Sequence, residues 1–375
     1  MKSTRRAFLF WSGMGALASW MRPLAGSAAP WFGAAGAGAD VGSSPGAPQR
    51  LIIDTDPGVD DAVSILLALK SPEVHVEALT VVGGNVEADY GVRNALGLLE
   101  VAGRSDIPVA LGAKKPLMRT PLTARIAHGS NGMGDVELPA LRKSIVSQHA
   151  IDLIIEAVRA SPGEMTILAL GPLTNVALAL LKEPSIGPQI AEVAFMGGTI
   201  LSYGNVTPVA TFNIYADPEA AQIVMMAGIP RITMAGTDIT TKVQFSAADF
   251  DRLERSGNPE GRLCAAVGRF RLKRFPSYLP EKEPTIGFND LPATAVLIRR
   301  SLFTMEKMYV EVETKGELST GMTVANRRNL RVKIGPEGDH LGLLGVEQLT
   351  PNVDVCTGID EKGVKELFLA RIAGE

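Results

Sequence analysis

From Arg50 onward, short uninterrupted apolar runs alternate with longer stretches in which apolar positions recur at helical spacing. The runs at 50–54, 75–82, 107–110, 165–170, 191–196 and 231–235 predict strands, and the segments at 60–70, 89–103, 147–160, 173–182 and 217–227 predict helices. One helix is spelled out at both ends: Asp217 is placed to cap it, Pro218 sits in its first turn, and Gly228 ends it. Strands apolar throughout, separated by helices, predict an α/β fold: a Rossmann-like, open, mainly parallel sheet with helices on both faces. No internal repeat or linker interrupts residues 49–375, which read as one domain.

Residues 1–48 break this pattern. Arg5-Arg6 precedes a moderately apolar stretch to about Met21, and a Gly/Ala/Ser/Pro-rich run continues to Pro48. The arrangement resembles a bacterial twin-arginine export signal followed by a flexible lead-in, with small residues offering cleavage after Ala29, Ala37 or Ala39. An uncleaved signal anchor is the alternative. The apolar stretch is too short and Gly-rich for a membrane span, so the expectation is an exported, periplasmic protein without stable membrane association after cleavage.

Composition narrows the chemistry. With 46% hydrophobic residues the chain can build a real core, and a formal net charge of −3 provides no basic field for nucleic acid. Cys264 and Cys356 are the only cysteines, which allows one bridge or two buried thiols. His75, His128, His149 and His340 lie apart, with no zinc-binding spacing, so any metal must be held mainly by oxygen.

Oxygen is concentrated in one place. Leu51-Ile52-Ile53 runs into Asp54-Thr55-Asp56-Pro57-Gly58-Val59-Asp60-Asp61-Ala62, at the carboxyl end of the first predicted strand, where open parallel sheets bind ligands. Capping the next helix accounts for Asp60 or Asp61, but leaves Asp54 and Asp56 unexplained. Close carboxylates repel unless they are protonated or bridged by a cation, and an all-oxygen donor set favours calcium or magnesium. This is no EF-hand, because Ile65 stands where the closing glutamate belongs. Two enzyme classes put acids here. One is a D-x-D phosphatase, with Asp54 as nucleophile, Asp56 as acid/base and magnesium on the phosphate.

The other is carried by motifs that continue in order down the chain: Thr80-Val81-Val82-Gly83-Gly84-Asn85, Ala169-Leu170-Gly171-Pro172-Leu173-Thr174-Asn175-Val176-Ala177, Met196-Gly197-Gly198, Gly204-Asn205, Phe212-Asn213, Asp217-Pro218-Glu219-Ala220-Ala221 and Asn289-Asp290-Leu291-Pro292-Ala293. Together with the aspartate cluster, these resemble the inosine–uridine-preferring nucleoside hydrolase family over about residues 50–372. The resemblance implies a single Rossmann-like domain that hydrolyses the N-glycosidic bond of ribonucleosides, and a homodimer or homotetramer. It implies one calcium ion held by Asp56, Asp61, Asp290 and the backbone carbonyl of Leu170, with Asp54 supporting from behind. Asp56 would activate a calcium-bound water, and Asp60, Asn85, Asn205 and Asn213 would grip the ribose.

Two positions depart from the family pattern. Asn289 stands where a histidine commonly precedes the aspartate, and an amide can donate a hydrogen bond but is no general acid near neutral pH. Thr211 replaces a glutamate that contacts the sugar, which removes a strong acceptor on the 5′ side. His128, in a Gly-rich loop, and Tyr278, where the family carries a flap, are the candidates to assist the departing base. These departures keep a rival open: a non-catalytic, calcium-dependent nucleoside-binding protein.

Overall fold

Strand β1 (Gln49–Thr55) has side chains buried on both of its faces, and the rest of the sheet is arranged around it in the computed structural model, which describes residues 47–275, 283–337 and 340–375. Leu51 and Ile53 point into one core layer, packed by helices Val59–Leu69, Pro259–Arg274 and Glu361–Ala373. Ile52 points into the opposite layer, under helices Ala150–Ala160, Thr174–Lys182 and Pro218–Met225. The two-residue repeat of a strand, with both faces covered, is why this run is apolar without alternation.

The remaining strands are β2 (Val74–Val81), β3 (Val109–Leu111), β4 (Met165–Ala169), β5 (Glu192–Met196), β6 (Ile232–Ala235), β7 (Phe303–Val312), β8 (Thr323–Asn326), β9 (Leu330–Glu337), β10 (His340–Gln348) and β11 (Val353–Ile359). Among the described residues, nine of the eleven strands form one sheet in the order β3-β2-β1-β4-β5-β6-β11-β7-β8, while β9 and β10 pair only with each other. Pairing is parallel from β3 through β6 to β11, then antiparallel at β11–β7 and β7–β8. The chain leaves β1 toward β2 and β3, then returns to the other side of β1 as β4. The carboxyl ends of β1 and β4 therefore flank a topological switch point, where a crevice opens.

The expected strands and helices up to Ala235 are all present, with ends that move by up to three residues. Cys264 and Cys356 are buried free thiols, and burial pushes the Cys356 thiol up to about 12. Among the described residues no helix is long and apolar enough to cross a membrane. The predicted cap at Asp217 does more than end a helix. Its buried carboxylate accepts from Ala220 N at 3.1 Å, from Leu117 N at 2.9 Å and from Thr174 Oγ1 at 2.7 Å, so it ties together the loop after β3 and two helices. Asp217→Ala leaves those three donors unanswered and should destabilise the protein by about 2–3 kcal/mol. Urea unfolding should show this as a lower midpoint with an unchanged slope.

Candidate active site

Asp54 and Asp56 leave the end of β1, Pro57-Gly58 turns the chain, and Asp60 and Asp61 stand in the first turn of helix Val59–Leu69. All four carboxylates are buried. Asp61 is the helix-capping acid: its Oδ2 accepts from Gly58 N at 3.0 Å, while Oδ1 accepts from Thr55 Oγ1 at 2.5 Å and Asp56 N at 3.3 Å. Asn85, in the turn after β2, joins two acids. Its backbone N donates to Asp56 Oδ2 at 2.6 Å, and its Nδ2 donates to Asp56 Oδ1 at 3.2 Å and Asp61 Oδ2 at 2.9 Å. Burial, then repulsion from Asp61, holds the Asp56 carboxyl well above its ordinary range. Asp54 lies behind, accepting from Thr80 Oγ1 at 2.6 Å and Asn175 Nδ2 at 2.8 Å, and burial pushes it up to about 7 despite these donors.

Asp290, which immediately precedes helix Leu291–Ile298, completes the cluster without capping that helix through its side chain. Oxygens of Asp60, Asp61 and Asp290 lie within 4.8 Å of one another. Burial, followed by repulsion from Asp60, Asp61 and Asp56, drives the Asp290 carboxyl far above its usual range. Asp60 differs. Burial raises it, but the Arg271 guanidinium and then His128 pull it below the normal carboxylate value. Arg271 Nη1 is 3.2 Å from Asp60 Oδ2. His128 Nδ1 is 3.5 Å from Asp60 Oδ1, yet that nitrogen accepts from Val59 N at 3.0 Å, so Asp60 Oδ1 is buried with no donor. An orphaned oxygen beside two more buried carboxylates fits a hard, oxygen-preferring divalent cation. Asp60, Asp61 and Asp290 can hold a metal ion there.

The remaining expected residues fall into three groups. His128 is buried at the cluster rather than on the surface. The Val59 bond leaves its ring proton on Nε2, and burial holds the imidazole neutral more firmly than usual. Asn213 and Leu170 meet each other: Asn213 Nδ2 donates to the carbonyls of Leu170 and Met196, bridging the ends of β4 and β5. A carbonyl has a second lone pair, so this bond leaves Leu170 able to act as a ligand. Asn289 is half-buried beside Asp290, with its Oδ1 3.4 Å from Thr240 Oγ1. Thr211 and Asn205 are engaged by the loops. Buried Thr211 Oγ1 accepts from Gly198 N at 2.8 Å, and exposed Asn205 Oδ1 accepts from Phe212 N at 2.7 Å. Tyr278 lies outside the described residues.

Arg271 was not anticipated from the pattern of acids, although the sequence holds a signal for it. Along helix Pro259–Arg274, Cys264, Val267 and Gly268 are buried at helical spacing, and Arg271 continues that stripe. A cation on a buried stripe needs a partner, here Asp60, and it also lies 5.9 Å from the centre of the Phe288 ring.

Three comparisons bear on what this arrangement does. Residues 51–366 match the family described as inosine-uridine preferring nucleoside hydrolase. A pyrimidine-specific ribonucleoside hydrolase, RihA of Citrobacter koseri, is 40% identical over 328 residues, which cover 86% of this chain and 97% of that protein. Among solved structures, a plant nucleoside hydrolase superposes with a TM-score of 0.76 at 35% identity, covering 88% of this chain and 100% of the other. The purine-preferring ribonucleoside hydrolase from Gardnerella vaginalis reaches a TM-score of 0.78 at 29% identity, covering 87% and 98%. The phosphatase reading does not account for matches of this extent. With its buried acids at the switch point of a parallel sheet, this chain belongs to the inosine–uridine-preferring nucleoside hydrolases, enzymes that hydrolyse N-glycosyl bonds.

Proposed function

We propose that this enzyme hydrolyses ribonucleosides to ribose and free base with calcium at the aspartate cluster and Asp56 as the base that accepts a proton from water. The observation that carries this reading is the burial of Asp56, Asp60, Asp61 and Asp290 together with the donorless Asp60 Oδ1. Asp56, Asp61, Asp290 and the Leu170 carbonyl form the proposed ligand set, with Asp60, whose Oδ1 has no donor and which clusters with Asp61 and Asp290, as a further ligand. When bound, the ion supplies positive charge that orders a ribose diol and acidifies water. Asp56 is buried with Asn85 donating to both of its carboxylate oxygens, which fixes it at the crevice to take a proton from water. The surrounding negative charge favours the oxocarbenium-like ribosyl group of the transition state.

Departure of the base falls to hydrogen bonding. His128 has an Nε2–H to offer, and Asn289 can add an amide N–H, whereas neither a neutral imidazole nor an amide is a strong acid. This favours bases that leave with the help of hydrogen bonds. The relatives include both pyrimidine-specific and purine-preferring enzymes, so the substrate panel below is what assigns the base. We also propose export, on the strength of Arg5-Arg6 and the apolar stretch after them.

Ribose release from a panel of purine and pyrimidine nucleosides, with calcium and after chelation, tests the reading. Calcium should restore activity to the chelated enzyme, and Asp56→Asn should lower kcat by about 10²–10⁴-fold. Calcium should also raise the melting temperature of the wild type, with that rise lost in Asp61→Asn. Activity that survives both chelation and Asp56→Asn would sink the proposal.

Gly84 supplies an independent check on the position of Asp56. A Cβ on this residue would stand 2.0 Å from Asp56 Oδ2 and 2.9 Å from Pro172 Cδ, so the carboxylate must move. Displacement of a catalytic group by about 1 Å can cost about 10²-fold, and Gly84→Ala should lose roughly that much in kcat while its stability falls by about 1–3 kcal/mol, too little to unfold it at assay temperature. Steady-state kinetics beside a melting curve make the comparison.

A further inference from the structure

Arg271 stands in the last turn of helix Pro259–Arg274, where a cation suits the helix end. That end is fixed from two sides. Phe270 packs on the loop after His128, where a Cβ at Gly134 would stand 2.8 Å from the Phe270 Cγ, and the Arg271 guanidinium lies 5.9 Å from the centre of the Phe288 ring. Arg271 is thereby held beside Asp60, with Nη1 3.2 Å from Asp60 Oδ2 and only 13% of the side chain exposed. The two form an ion pair without the alignment of a hydrogen bond: Nε and Nη1 are buried, and no acceptor among the described residues receives them. A cation at the cluster accounts for the donorless Asp60 Oδ1 but not for idle N–H groups, which need an acceptor. Had the guanidinium served only to neutralise Asp60, its planar fork would lie along the carboxylate with two parallel bonds. Unpaired buried donors are costly, so two on one side chain at the crevice mark the place of a ligand that brings an acceptor.

We propose that Arg271 is a catalytic residue that takes up the negative charge of the departing base, donating an N–H to the acceptor next to the broken bond, O2 of a pyrimidine or N3 of a purine. This rests on the hydrolase reading above and supplies the charge that reading lacks. The C1′–N bond breaks with its electron pair going to the base, while water bonds to C1′ through its oxygen and gives a proton to Asp56. The base therefore leaves as an anion and is protonated by solvent, to which Asp56 returns its own proton. Asn289 brings no charge to that step, and the His128 ring, which accepts from Val59 N, has a single N–H to give and is uncharged. A guanidinium is charged at every working pH and carries its donors in a rigid fork. Among the described residues Arg271 is the one arginine or lysine paired with the acid cluster. A fixed donor placed where charge develops in a largely buried site typically contributes about 10²–10³-fold in rate.

Two substrates with unlike leaving groups, assayed at saturating calcium, test this. One is the best nucleoside of the panel above, whose base leaves poorly without help. The other is p-nitrophenyl β-D-ribofuranoside, whose nitrophenolate is a stable anion at neutral pH. Arg271→Met, similar in length and uncharged, should lower kcat/KM for the nucleoside by about 10²–10³-fold and for the nitrophenyl riboside by less than about fivefold. Turnover of the nitrophenyl riboside by the variant also shows that it is folded, with its sugar-binding and proton-accepting groups in place. An equal loss on both substrates overturns the proposal and makes Arg271 a structural partner of Asp60. A nucleoside rate unchanged in Arg271→Met overturns it as well. A wild type inert toward both substrates overturns the hydrolase reading, and this inference with it.

Discussion

Buried like charge is the constraint around which this protein is organised. Two carboxylates about 4 Å apart repel by about 4 kcal/mol at the effective dielectric of a protein near its surface, and burial removes the water that would screen them. Asp56, Asp60, Asp61 and Asp290 are packed under that penalty. The fold offsets it in three ways. Backbone and amide N–H groups of Gly58 and Asn85 point at Asp61 and Asp56. Arg271 neutralises Asp60. The excess left on Asp56 and Asp290 appears as carboxyls held well above their ordinary range, a condition that a divalent cation relieves.

The sheet makes that crowding possible. Parallel strands end at one edge, so residues distant in sequence arrive together without any long loop having to hold them. β1 brings Asp54 and Asp56, the turn after β2 brings Asn85, and the residues following β4 and β5 bring the carbonyls of Leu170 and Met196. Close approach is bought with missing side chains: Gly58, Gly84 and Gly171 each leave space that His128 or Asp56 fills. Asn213 and Thr211, expected at the sugar, lock these loop ends to one another and so shape the walls of the crevice.

Legibility in the sequence followed burial. The parallel strands up to Ala235 are buried on both faces and read as apolar runs, and the intervening helices show their period clearly. From Thr237 onward the signal fades for a physical reason: β7 is partly exposed, with burial that alternates irregularly, and β9 and β10 are exposed along most of their length. The acids of the site were visible because carboxylates are rarely crowded without cause. Arg271 was not, because one cation near the end of a charged helix resembles a solvated residue until its own side of that helix is seen to be buried. The orientation of the His128 ring depends on one backbone N–H, that of Val59, which no spacing rule can supply.

The order of the strands has a consequence for how the molecule is made. β11 is the last strand of the chain, yet it lies between β6 and β7, joined to the first in parallel and to the second antiparallel. Until it arrives, β7 and β8 have no bond to the main sheet, and the hairpin that follows them has no fixed base. Pairings that join such distant parts of a chain form slowly, because the intervening loop must be closed first. The antiparallel wing therefore depends on the C-terminal strand for its attachment to the sheet, while the neighbouring parallel strands keep their own partners without it.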